Sequence, residues 1–240
     1  MQKSFMTQKW SELIMLHWPV PERKVSETTP EDLRPDLYNG QAWASVVVFK
    51  LSNLRVFPIR FLKWGSFFEI NLRTYVRDEE GRRGVWFYSL DAADFVSVVA
   101  ARLLYGLSYN LSEIKSRQSG QQVSFDLNRI LFGGKSRSHI QASITDQEIP
   151  REKGSLDEFL LERYRFWASR NHKKSTTARV KHKPYEPKKV EAAQYRGNLF
   201  GSAGLGEPNS EPVLSHYSEG FPVEASAPSW LNIAGQENQT

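Results

Sequence analysis

Hydrophobic positions fall in short clusters separated by turn residues along most of the chain, the pattern of many short strands. Strands are expected near residues 13–18, 42–51, 67–77, 85–90, 109–117, 123–132 and 139–145, and again near 188–195 and 212–224. The turns between them are legible. Asp78-Glu79-Glu80-Gly81 joins two strands, and Gly133-Gly134-Lys135-Ser136 closes a hairpin. Two stretches change to helical spacing. One covers about 92–105, with Asp91 as N-cap, Asp94 three residues on, and Phe95, Val98, Val99, Leu103 and Tyr105 as its apolar positions. The other begins at Ser155 with Glu158 in capping-box spacing and runs to about 168, with Leu156, Phe159, Leu160, Tyr164 and Trp167 as its stripe. A shorter helical turn is expected over 198–203, ended by Gly204.

Strands outnumber helices and hairpins outnumber βαβ units. The expected class is therefore α+β, mainly antiparallel, with a curved sheet or partial barrel and helices packed at its side. Residues 171–183 are expected to form a mobile loop, and 231–240 a disordered tail behind a single domain over 1–230.

The composition is that of a soluble globular protein, with 40% hydrophobic and 25% charged residues in 240. No apolar run reaches the roughly 20 residues of a membrane span, and no signal peptide is evident at the N-terminus. The chain has no cysteine, which excludes disulfides, thiolate metal sites and a cysteine nucleophile. A cytoplasmic location is the expectation. The net charge of +5 has one source. Between Arg163 and Lys189 lie ten basic residues against the single acid Glu186, leaving 22 basic and 26 acidic residues elsewhere.

The most informative segment is 65–110. It reads as strand, turn, strand, helix, and it sets Glu69, Asn71 and Arg73 on one side of a strand whose other side is Phe68, Ile70 and Leu72. Glu69 and Arg73 sit about 13 Å apart along the strand, so each needs its own partner. Two readings stay open. The charged side faces solvent, as one side of an antiparallel sheet commonly does. Alternatively it lines a cavity, since the next strand, Val85-Trp86-Phe87-Tyr88, is apolar on both faces.

Other candidates are weaker. Asp91 and Asp94 have the look of paired carboxylates, but capping accounts for both, and Arg102 reads as structural. The five histidines, His17, His139, His172, His182 and His216, lack helical metal spacing, so no metal is expected. His17, beside Trp18-Pro19, reads as a structural histidine. GGKS resembles the end of a P-loop, but Arg129 stands where its first glycine belongs and the turn joins two strands. The basic segment mixes cations with Tyr164, Phe166, Trp167 and Tyr185. A nucleic-acid surface combines cations and aromatics in this way, but a solvated loop does so more often.

Several longer motifs point one way: HWPVP at 17–21, GQAWASVVVF at 40–49, EINLRTYV at 69–76, GVWFYSLDAAD at 84–94, ARLLYGLSY at 101–109 and GSLDEFLLERYRFWA at 154–168. With HKPYEP at 182–187 and PVLSHYSEGFPVEA at 212–225, they resemble the YqjF-like family of uncharacterised bacterial proteins over about 8–230. That family is similar in fold to acetoacetate decarboxylase, a double-layered antiparallel barrel around a cavity. There a lysine forms a Schiff base with a β-keto acid and the iminium serves as electron sink.

The resemblance implies that Glu69 matches a strand glutamate of that enzyme. It also implies that Tyr109 and Asn110 occupy the positions of its two lysines. Neither side chain can form an imine, and the nearest lysine, Lys115, lies five residues beyond Asn110. What the resemblance leaves is a cavity in which Glu69 and Tyr109 carry the chemistry and Arg73, Asn71 and Asn110 bind a small carbonyl or carboxylate compound. No cofactor is implied. A non-enzymatic protein held by a structural charge network is the alternative, and a homo-oligomer stays open.

Overall fold

The computed structural model describes residues 4–57, 65–169 and 175–229. In chain order the elements are β1 (Met6–Val20), α1 (Glu22–Thr28), β2 (Leu33–Pro35), β3 (Ala42–Val56), β4 (Phe67–Asp78), β5 (Arg83–Ala92), α2 (Phe95–Tyr105) and β6 (Tyr109–Ser119). Then follow β7 (Gln122–Leu131), β8 (Arg137–Glu148), α3 (Leu156–Leu161), β9 (Arg165–Ala168), β10 (Thr176–Lys181), β11 (Lys188–Gly197), α4 (Leu199–Ser202) and β12 (Leu214–Ala225). The fold is mostly antiparallel, as the strand pattern predicts. Two pairings are parallel, β5 with β6 and β5 with β9.

The strands close into two rings that share a wall. One ring runs β5, β6, β7, β8, β11, β12, β1, β3, β4 and back to β5. The other leaves β5 through β9 and β10, rejoins at β12, and returns along β1, β3 and β4. Alternation along the shared strands then feeds two cores. Ile14, Leu16, Val46, Val48, Ile70 and Leu72 enter the first ring with Phe125, Leu127 and Ile140. Leu13, Met15, Val47 and Phe49 enter the second with Val98, Leu161 and Val223. Each such side chain contributes about 1.5–3 kcal/mol through burial, so the period-2 pattern is committed on both faces.

Close approach explains one glycine. A Cβ on Gly84 would lie 2.4 Å from the Arg165 carbonyl oxygen, so this position must be bare for β9 to lie against β5.

Several expectations need correction. Helix α2 starts at Phe95, not 92, and its cap is Asp94, whose carboxylate accepts from the Ser97 amide at 2.7 Å. Asp91 lies within β5 instead. On α2 part of the expected stripe faces inward: Val98 and Tyr105 are buried, while Phe95 is 53% and Leu103 66% exposed. Helix α3 stops at Leu161, though its Ser155 cap and Glu158 amide pair as expected, at 3.2 Å. The chain must turn there because residues 165–168 pair with β5 and β10 to close the second ring. Trp167 is thus buried from a strand, and Tyr164, expected inside, is 38% exposed. The segment expected as a mobile loop contains β10, and its residues 171–174 lie outside the described residues, as does the expected tail. The short elements α1 and β2 were not foreseen.

Candidate functional site

The inner face of β4 within the second ring carries Glu69, Asn71, Arg73 and Tyr75 in succession, all buried. A cavity of about 110 Å³ opens over the first three. Its floor comes from the shared wall, with Glu69, Asn71, Arg73, Val47 and Phe49. Its roof comes from α2 through Ser97, Ala100, Ala101 and Leu104. Tyr109 from β6 and Arg163, Arg165, Phe166 and Tyr185 from the segment around β9 and β10 complete it. The wall is largely apolar, with a few convergent polar groups, as small-molecule sites usually are.

At one pole, Glu69 accepts from the Tyr109 hydroxyl at 2.5 Å and from Asn71 Nδ2 at 3.2 Å. Burial pushes the Glu69 carboxyl up to about 7; the hydrogen bonds from Tyr109 and Asn71 oppose that rise and the nearby Asp91 adds to it. Burial, together with the Glu69 charge and hydrogen bond, holds the Tyr109 phenol well above its ordinary value. The pair therefore carries one proton on Tyr109 and exchanges another on Glu69 near neutral pH.

At the other pole stand two arginines. Arg163 is buried and paired with Asp36 at 2.6 Å, and Asp36 also takes Arg83 at 2.7 Å. Arg73 has no carboxylate partner among the described residues. Its Nη2 reaches the Leu160 carbonyl at a long 3.5 Å. Burial drives the Tyr185 phenol up to about 12, with the Arg73 cation pulling the other way. Among the described residues, Arg73 Nε, Arg163 Nη2, Asn71 Oδ1 and Ser97 Oγ are buried without partners. Such groups cost free energy unless something occupies the space beside them.

Asn110 is different. It does not line the cavity; its Nδ2 turns to the Ser108 carbonyl at 3.4 Å, and its Oδ1 lies 2.3 Å from where a Cβ on Gly133 would stand. That position requires a residue with no side chain, at φ +57°. Asp91, expected as a cap, makes a buried fork with Arg129, both contacts at 2.7 Å, and accepts from Ser112 at 2.7 Å. Arg102 acts structurally as expected, donating to the Tyr109 carbonyl at 2.6 Å while stacking over Phe132.

No lysine is found among the described residues lining the cavity. Lys115 points to solvent and pairs with Glu113 at 3.0 Å. Among the described residues no group of three or more histidines and carboxylates is arranged to hold a metal ion, and no helix is long and apolar enough to cross a membrane.

Comparison with known proteins agrees with this architecture. The family model DUF2071, described as an uncharacterized conserved protein, matches residues 7–222. The chain belongs to the DUF2071 family. Uncharacterized protein YqjF of Bacillus subtilis (strain 168), to which this DUF2071 chain is similar, is 32% identical over 215 residues, covering 89% of this chain and 87% of that protein.

Among solved structures, an acetoacetate decarboxylase-like enzyme from Sphingomonas wittichii RW1 matches with a TM-score of 0.62 at 12% identity, covering 95% of this chain and 93% of that one. The acetoacetate decarboxylase of Legionella pneumophila matches with a TM-score of 0.60 at 10% identity, over 92% of this chain and 85% of that one. The enduracididine biosynthesis enzyme MppR, in complex with pyruvate, matches with a TM-score of 0.57 at 13% identity, over 94% and 89%. At these identities the likeness establishes the fold alone. This DUF2071 protein is an acetoacetate decarboxylase-like barrel.

The structure thus brings Glu69, Asn71, Arg73 and Tyr109 to one cavity and leaves Asn110 beside it. Arg163, Tyr185 and Ser97 escaped sequence reasoning. Arg163 was submerged in a basic segment that looks like surface charge, yet its residues are dispersed: Arg163 and Arg165 face the cavity, while Lys183 and Lys188 pair with Glu186 and Glu219. The available signal for Arg163 was its position between apolar Leu160-Leu161 and Phe166-Trp167.

Proposed function

We propose that this DUF2071 protein binds a small carboxylate- or carbonyl-bearing compound in the second-ring cavity and handles it without a covalent imine. One observation carries the reading: the buried Arg73 guanidinium faces the cavity with no carboxylate partner among the described residues. A bound carboxylate would supply the missing charge and accept its N–H groups bidentately. The volume limits the compound to a few heavy atoms. MppR, of the same fold, is described with pyruvate, a compound of that size and chemistry.

Tyr109 sits where the resemblance places a Schiff-base lysine, and a phenol has no amine to offer. What remains for chemistry is the proton on Glu69. Near neutral pH this carboxyl exists in both forms, so it can take a proton from a carbon beside a carbonyl or return one. Tyr109 holds the carboxylate in place and stabilises it.

The test is thermal stabilisation by a panel of small carboxylates and 2-oxo acids, pyruvate included. A compound at about 100 times its Kd adds about 2.7 kcal/mol to the folded state. The wild type should respond, and folded Glu69→Ala and Arg73→Ala variants should not. Full responses in both variants would place the ligand elsewhere.

A further inference from the structure

A second polar cluster lies on the same shared wall and takes no part in the chemistry above. Tyr75, Ser45, His17, His216 and Asp157 are joined end to end. Tyr75 Oη meets Ser45 Oγ at 2.7 Å, Ser45 Oγ meets His17 Nδ1 at 2.7 Å, His17 Nε2 meets His216 Nδ1 at 3.0 Å, and His216 Nε2 meets Asp157 Oδ1 at 2.6 Å. Five elements contribute one residue each: β4, β3, β1, β12 and the helix α3. The first four residues are sealed from solvent. Asp157 is the outer end: its side chain is 30% exposed and it borders a surface depression with Arg151 and Lys153. At the inner end the Tyr75 ring lies 5.1 Å from the Arg163 guanidinium and 5.9 Å from that of Arg73.

Such a chain has two self-consistent polarities. Without an extra proton every hydrogen points outward. Tyr75 donates to Ser45, Ser45 to His17 Nδ1, His17 Nε2–H to His216 Nδ1, and His216 Nε2–H to the Asp157 carboxylate. One added proton makes His216 an imidazolium, which must donate from both nitrogens, to Asp157 and to His17. His17 then donates from Nδ1 to Ser45, Ser45 donates to Tyr75, and Tyr75 keeps a hydroxyl hydrogen that points away from Ser45. Each hydrogen between Tyr75 and His216 moves one place towards Asp157, the proton taken up replaces the one that Tyr75 passes on, and no other bond changes.

We infer that His17 and His216 share one exchangeable proton, steadied by Asp157, and that its uptake is coupled to an anion beside Arg73. The charges around the pair support this. Asp157 is held below the usual carboxylate range, first by its hydrogen bond from His216, so it is the anion that steadies an imidazolium. His17 lies well below 6.5 through burial, then through His216 and Arg73, and the Asp157 carboxylate bonds to the other ring of the pair.

The groups beside the pair are Ser45 from β3, Arg73 and Tyr75 from β4, Asp157 from α3, and the exposed Lys189 of β11, which is paired in register with His216. Beyond Tyr75 lies Arg163, which Asp36 already neutralises. Arg73 is the buried cation among these without a carboxylate partner among the described residues. An anion bound to it removes repulsion that opposes the proton, and reciprocity then makes the anion bind more tightly to the protonated protein. The coupling rests on the anion-binding reading of the cavity; the shared proton does not.

NMR titration of the histidine Cε1–H signals in the full chain tests both parts, with His17→Gln and His216→Gln supplying the assignments. The two rings should report one common midpoint. Asp157→Asn, at a partly exposed position, should lower that midpoint by roughly one pH unit. Pyruvate, used as the probe anion, should raise it in the wild type and not in Arg73→Ala. Separate midpoints, or no response to Asp157→Asn, overturn the shared proton and leave the cavity reading intact. A shared midpoint that responds to Asp157→Asn but ignores pyruvate overturns the coupling.

Discussion

The Tyr109 hydroxyl donates to the Glu69 carboxylate across 2.5 Å, tying the first residue of β6 to β4 at one pole of the cavity. Tyr109→Phe removes that donor and leaves a buried carboxylate oxygen without it. The Glu69 midpoint, read from its side-chain carboxyl ¹³C shift, should then rise above the wild-type value of about 7. Stability above that pH should fall by about 1–3 kcal/mol, as for a hydrogen bond lost to a charged buried group. An unchanged midpoint would mean that the two side chains are not bonded in solution.

Glu69 also makes folding depend on pH in a defined direction. Its folded value of about 7 exceeds the ordinary 4.5, so the folded protein holds the proton more tightly than the unfolded chain does. The associated stability is complete below about 4.5 and is lost as pH rises through about 7. Glu69→Gln removes this titration. Denaturant melts should therefore show the variant gaining on the wild type from pH 4.5 to 7, by up to about 3 kcal/mol, and no further gain above.

Much of this was legible in advance, for physical reasons. The alternation of β4 marks Glu69, Asn71 and Arg73 as sharing a face, because a strand has only two faces and the other was filled by Phe68, Ile70 and Leu72. Whether that face met water or a cavity depended on β9 and β10, which lie about a hundred residues on in sequence. Their apolar runs are short and fit helix and loop in the sequence, since Phe166 and Trp167 follow α3 without a break in helical spacing. Arg163 stayed hidden for the same reason. Asp91 was misread because Asp94 offers the same cap chemistry three residues later, and nothing local reveals that Arg129 will arrive from β7. The His17–His216 contact joins opposite ends of the chain, and no spacing rule can find it.

Asp91 and Arg129 form a buried pair, so removing one partner should cost far more than removing both. Asp91→Ala leaves an uncompensated guanidinium and should lower stability by about 3–5 kcal/mol. Replacing both together with apolar residues of similar volume should recover most of that loss. Chemical denaturation of the single and double variants measures the difference; additive losses would contradict the pairing.

Tyr109 supplies a test of the missing imine. If it occupies the place of a Schiff-base lysine, Tyr109→Lys puts an amine beside Glu69 inside the cavity. Borohydride added with pyruvate should then yield a reduced covalent adduct at position 109 by mass spectrometry. The wild type should give none within the cavity. A reduced pyruvate adduct on any lysine of the wild type would refute the non-covalent reading.

The most direct test is a crystal structure of the full chain with whichever compound of the panel stabilises it most. Density for a carboxylate or carbonyl group within hydrogen-bond distance of the Arg73 guanidinium, unconnected to any side chain, is the predicted result. A cavity holding only water while the compound sits elsewhere, or density continuous with a lysine, would contradict the account.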